Sequence, residues 1–98
     1  MQNLLIKILR NKLNNNDTVA VASRSFSKNN FLVSCLRNNY SSIILNDSGK
    51  TLTGKSLISF LRPANKAIIG IEEISGLVLS QLPDLNVISK YGVGLNNL

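Results

Sequence analysis

Four short stretches of the chain are apolar or β-branched and too short for helices: residues 19–22, 42–45, 66–71 and 86–90. Their length and composition predict strands buried in a sheet. Helical spacing fills the gaps. Ser27 to Asn30 offer capping side chains, and Phe31, Leu32, Cys35 and Leu36 then recur at helical intervals up to about Asn39. Thr53 precedes a run with Leu57, Ile58, Phe60 and Leu61 apolar, and Pro63 stands just beyond its end, where helices stop. Ser75 opens a third segment with Leu77, Val78 and Leu82 apolar, and Pro83 follows. Asn46-Asp47-Ser48-Gly49 is a turn signal that closes the second strand.

Strands alternating with helices through short connections make successive βαβ units. Such units give a mainly parallel sheet of about four strands with helices on both faces, a three-layer α/β/α arrangement. Few strands in this rhythm suit the flavodoxin-like order, whose switch point lies between strands one and three. Ligands on these sheets bind beyond the C-terminal strand ends. The expected rim is therefore Ser23-Arg24-Ser25-Phe26, Ile71-Glu72-Glu73 and Tyr91-Gly92-Val93-Gly94.

Ninety-eight residues allow one domain and one modest core. With 44% hydrophobic and 16% charged residues, the chain reads as globular. It has no His, no Trp and one Cys. Within this chain that excludes a Ser-His-Asp triad, a Cys-His pair, a zinc cluster and a disulfide framework. No apolar run approaches the roughly 18 residues of a membrane span, so no membrane partner is expected.

The net charge of +6 raises the question of nucleic acid. The basic residues are scattered and do not interleave with aromatics as a base-stacking surface requires, so no nucleic-acid partner is expected. Residues 1–16 carry no acid. Leu4, Leu5, Ile8, Leu9 and Leu13 fall on one helical side there, which predicts a basic amphipathic leader helix or tail set apart from a domain at 17–98. The leader is too interrupted by Lys7 and Arg10 for a secretory signal, and a cytoplasmic location is expected.

Several side chains could carry chemistry. Arg24 ends the first predicted strand, where its planar fork could pair with a carboxylate or phosphate. Ser25 stands beside it. Glu72 and Glu73 point different ways and read as solvated turn charges at a helix start. Cys35 lies on an apolar helix face without a basic partner and reads as a structural thiol. Gly92-Val93-Gly94 follows a strand, but the third glycine of a dinucleotide loop would fall at Asn97. Its exposed amides suit a carboxylate instead.

The block Leu82 to Leu98, with Leu82-Pro83-Asp84-Leu85 leading through Ile88 and Tyr91 to Gly92-Val93-Gly94, resembles a segment of the D-isomer-specific 2-hydroxyacid dehydrogenases. The family form is L-P-x-L-K-x-I-x-x-Y/x-G-V-G-x-D-N-I-D. Ala67 to Gly70 and Leu79 to Pro83 are similar to the family's third strand and following helix, and Ser23 to Phe26 to the end of the first strand in its phosphoglycerate-type members, so the likeness runs from about Thr18 to Leu98. It implies the first part of a substrate domain, ending at the hinge to an NAD-binding domain. It also implies hydride transfer between a small 2-hydroxy or 2-keto acid and NAD in a homo-oligomeric parent, with no NAD bound by this piece alone.

By position the resemblance gives Tyr91, Gly92, Val93 and Gly94 to the substrate carboxylate and puts Asn97 near the cofactor. No catalytic residue carries over, because the family's catalytic Arg, Glu and His lie in the later domain. The family's hinge Asp is Asn96 here, and its Lys after the Pro is Asn86. The competing expectation is a stand-alone flavodoxin-like binding or regulatory module without catalysis.

Overall fold

The computed structural model describes residues 17–91. The leader and the Gly92-Val93-Gly94 segment lie outside them. Four strands form one sheet: β1 (Thr18–Val21), β2 (Ser42–Leu45), β3 (Lys66–Ile69) and β4 (Val87–Lys90). Their order is β2-β1-β3-β4, and every neighbouring pair is parallel. The helices between them are α1 (Arg24–Lys28), α2 (Asn30–Arg37), α3 (Gly54–Leu61) and α4 (Gly76–Ser80). The expected flavodoxin-like α/β/α class is thus the observed one, with β1 and β3 side by side at the switch point.

Strand periodicity divides the core in two. Val19, Val21 and Ile68 face Phe26 of α1, Leu32, Val33 and Leu36 of α2, and Tyr40. Ala20, Ala22, Ala67 and Ile69 face Leu57 and Leu61 of α3, Val78 of α4, Ala64 and Leu82. The first face of β1 is β-branched and the second is alanine. Small side chains on the second face leave room for leucines from the helices above. Burying a leucine such as Leu57 or Leu36 contributes roughly 1.5–3 kcal/mol, and both are fully buried.

Two local features depart from the sequence pattern. Ser23 to Phe26 is not an open rim loop. The Ser23 hydroxyl accepts the Phe26 amide at 3.2 Å and caps the one-turn α1, which turns the Phe26 ring into the core at 1% exposure. A second cap then restarts the chain: Asn29 Oδ1 accepts the Leu32 amide at 3.1 Å and opens α2. Because Asn29 sets the phase, Leu32, Val33 and Leu36 face inward while Phe31 is left 71% exposed. Cys35 is half-buried.

The third predicted helix is also shorter than its pattern. Ser75 caps α4 through the Val78 amide at 3.2 Å, but α4 ends at Ser80. Val78 and Leu82 are buried and Leu77 is exposed. The α3 helix starts as expected at Thr53, whose amide donates to Ser56 Oγ at 3.0 Å. Among the described residues no helix is long and apolar enough to cross a membrane.

Candidate functional site

At the switch point, β1 runs on into α1 on one face of the sheet, and β3 runs on toward α4 on the other. The two exits diverge, and a cleft of about 300 Å³ opens between them. Ser23, Arg24, Ser25 and Lys28 form one wall, and Gly70, Ile71 and Glu72 form the other. The expected rim positions Arg24 and Ser25 therefore meet in one site with the β3 exit. Phe26 does not, and Lys28 joins because α1 turns it back to the same side.

The floor is tightly built. Ser23 Oγ lies 3.3 Å from Ser25 Oγ while it caps α1. A Cβ placed on Gly70 would come within 3.2 Å of Ser23 Oγ, so glycine is what lets the β3 exit approach the α1 cap this closely. Glu72 folds back over this contact, and its Oε1 accepts the Gly70 amide at 2.6 Å. The reading of Glu72 as a solvated turn charge is corrected here: the residue is 6% exposed. Glu73, its neighbour, is exposed.

No family model, curated protein or solved structure matches this chain.

The site is thus read from its own geometry. Arg24 is held from outside the cleft: its Nη1 donates to the Gly49 carbonyl at 3.2 Å. Gly49 has φ +76°, a conformation that glycine takes without strain. Its turn is pinned by buried Asn46. Asn46 Nδ2 donates to the Ala22 carbonyl at 3.0 Å and the Lys50 carbonyl at 2.9 Å. Asn46 Oδ1 accepts the Ser48 amide at 3.1 Å and the Ser48 hydroxyl at 2.6 Å. The sequence turn signal at residues 46–49 therefore also orients a guanidinium at the cleft mouth.

Tyr91 is the last described residue. Its amide donates to the Ile69 carbonyl at 2.7 Å, extending the β3–β4 ladder. That donor is committed to the sheet. The Tyr91 ring meets Phe26 edge-on, with centroids 5.2 Å apart. Gly92, Val93, Gly94 and Asn97 lie outside the described residues.

The Gly70 amide is not available to a pyrophosphate. A pyrophosphate needs backbone donors at a strand tip. The Gly70 amide at the tip of β3 is already given to Glu72, and the Glu72 carboxylate would repel the phosphates. Among the described residues no group of three or more His, Cys, Asp or Glu could hold a metal ion.

Proposed function

We propose that residues 17–98 are the substrate-holding part of an NAD-dependent D-2-hydroxyacid dehydrogenase of the phosphoglycerate type, working in the cytoplasm. The supporting observation is the meeting of two features at one sheet edge. One is the cleft at the β1/β3 switch point with Arg24 and Ser25 on its wall. The other is Tyr91, where the Gly92-Val93-Gly94 segment begins, packed on Phe26 of the same α1. A small acid spanning the two would have its carboxylate on the glycine amides and its remainder toward the cleft. NAD and the acid-base groups belong to a separate nucleotide-binding domain in this reading, and the chain alone is inactive.

The test is turnover by the product of the coding sequence read through Leu98, assayed with matched D- and L-2-hydroxy acids. The expected result is NAD reduction with D-isomers. Gly94→Val should then lower kcat/KM by about one to two decades for each charge-assisted hydrogen bond lost, while NADH affinity is unchanged. A folded product that turns over no 2-hydroxy acid overturns the proposal and leaves the stand-alone binding module.

A further inference from the structure

The Glu72 carboxylate is buried, yet among the described residues it receives one hydrogen bond, from the Gly70 amide to Oε1. Its Oε2 accepts none there, and no lysine or arginine of those residues stands within ion-pair distance of it. A carboxylate taken out of water without a cation or a full set of donors is costly. The group is also not remote: it lines the cleft, on the wall opposite Ser25 and two cations, Arg24 and Lys28. Arg24 is partly exposed and Lys28 exposed, whereas Glu72 is buried.

We propose that this cleft binds a short acid carrying an amino or hydroxyl group away from its carboxylate. The donor group enters first and gives its hydrogen to Glu72 Oε2. The acid group stays at the mouth between Arg24 and Lys28. The chemistry at the floor selects donors and rejects anions. The volume of about 300 Å³ lies at the small end of ligand sites, which suits a molecule of few atoms. Ser25, exposed on the wall, is a hydroxyl that can give or accept along the ligand's length. The inference stands on the cleft alone and does not rest on the dehydrogenase reading.

The experiment is an amide-resolved NMR titration of the 98-residue chain, without NAD, against four probes of matched length: 4-aminobutyrate, 4-hydroxybutyrate, butyrate and succinate. The first two should shift the Gly70 and Glu72 amides and bind at least about tenfold more tightly than butyrate and succinate, as a charge-assisted hydrogen bond implies. Glu72→Gln then separates the two donor classes. A preference for the amino compound that Glu72→Gln abolishes identifies an ammonium ligand. A hydroxyl compound whose binding Glu72→Gln weakens, the amino compound binding no better, identifies a hydroxy acid; equal binding of either by both proteins overturns the proposal, because Gln keeps its one oxygen on the Gly70 amide and turns a donor to the ligand. Should Glu72→Gln not fold, the ranking of the four probes on the native chain decides by itself.

Equal binding of butyrate or succinate, shifts that map away from Gly70 and Glu72, or no binding by any probe would each overturn the proposal. Because the titration measures no turnover, its failure is distinct from failure of the dehydrogenase reading.

Discussion

Removing the Asn46 side chain tests how the cleft mouth is held. Asn46 is 4% exposed and joins three parts of the molecule with four side-chain hydrogen bonds. The Lys50 and Ser48 partners stand in the exposed turn, so water replaces most of what they lose. The Ala22 carbonyl differs: Ala22 is fully buried, and Asn46→Ala takes away its Nδ2 donor. Leaving a buried carbonyl without its donor costs about 1–3 kcal/mol, and each loop bond adds about 0.5 kcal/mol. The sum is a loss of about 2.5–4.5 kcal/mol, a large share of the stability of a domain this size.

Urea unfolding followed by circular dichroism measures that loss directly. With a slope of about 1–3 kcal/mol per molar, the midpoint should fall by about 1–4 M. Two companions sharpen the reading. Ser48→Ala removes the shortest of these bonds, but at the exposed end, and should cost below about 1 kcal/mol. Asn46→Asp keeps the acceptor toward Ser48 but sets a carboxylate against the Ala22 and Lys50 carbonyls, so it should cost at least as much as Asn46→Ala near neutral pH. An Asn46→Ala protein within about 0.5 kcal/mol of the native one would refute the argument. So would an Asn46→Asp protein more stable than Asn46→Ala.

Three further outcomes follow from the same structure. Burial raises the Tyr40 phenol above its ordinary value of 10.0, and the Asp17 carboxylate adds to the shift. The folded chain then keeps a proton that the unfolded chain loses first, so this contribution is whole below pH 10.0 and disappears as pH climbs through the folded value; alkaline phenolate absorbance should show a late ionisation that Tyr40→Phe removes and unfolding makes early. Gly49→Ala should cost about 1 kcal/mol, because φ +76° is strained for an L side chain, whereas Gly76→Ala meets nothing within 4 Å and should gain about 0.4–1 kcal/mol; a Gly49→Ala protein that melts higher than the native one, or a Gly76→Ala protein that melts lower, would contradict this. Leu36→Ala, at a fully buried position on α2, should lose about 2–5 kcal/mol in denaturant unfolding, and a loss under about 1 kcal/mol would mean α2 is not seated on β1 as described.

The strands were legible because each is a local signal. Residues 42–45 match β2 at both ends, and the other three strands differ from their runs by a residue or two. Pro63 and Pro83 marked helix ends for a reason that needs no tertiary information, since proline cannot continue a helix. The place of Arg24 and Ser25 on the cleft wall was legible because a sheet topology names the strand ends beside which a cleft opens. What stayed hidden was set by contacts distant in sequence. Phe26 looked like a rim residue until the Ser23 cap turned it inward. Phe31 and Leu77 looked like core by spacing, yet one lies just after a cap that rotates α2 and the other on a five-residue helix that presents only Val78.

Glu72 is the instructive omission, because one signal for it was present. A glycine closing a strand, as Gly70 follows Ile69, marks either a bend or a place where backbone must pass close to something. Here it is close approach, to Ser23 at the first strand's exit. Before the two exits diverge, Gly70 lies close to Ser23, and the Glu72 side chain folds back over that contact and is buried, while its neighbours Ile71 and Glu73 stay exposed. The carboxylate is tolerated there because the Gly70 amide, freed from the ladder where β3 ends, turns to meet it. That same donation reverses the usual polarity of a switch-point cleft. Sites of this kind offer backbone amides to anions. This one has given the Gly70 amide to Glu72, whose carboxylate is buried, while the cations Arg24 and Lys28 are the more exposed groups. A ligand is therefore read end to end, by a donor group within and an acid group without, and Gly70 fixes the order in which the two are met.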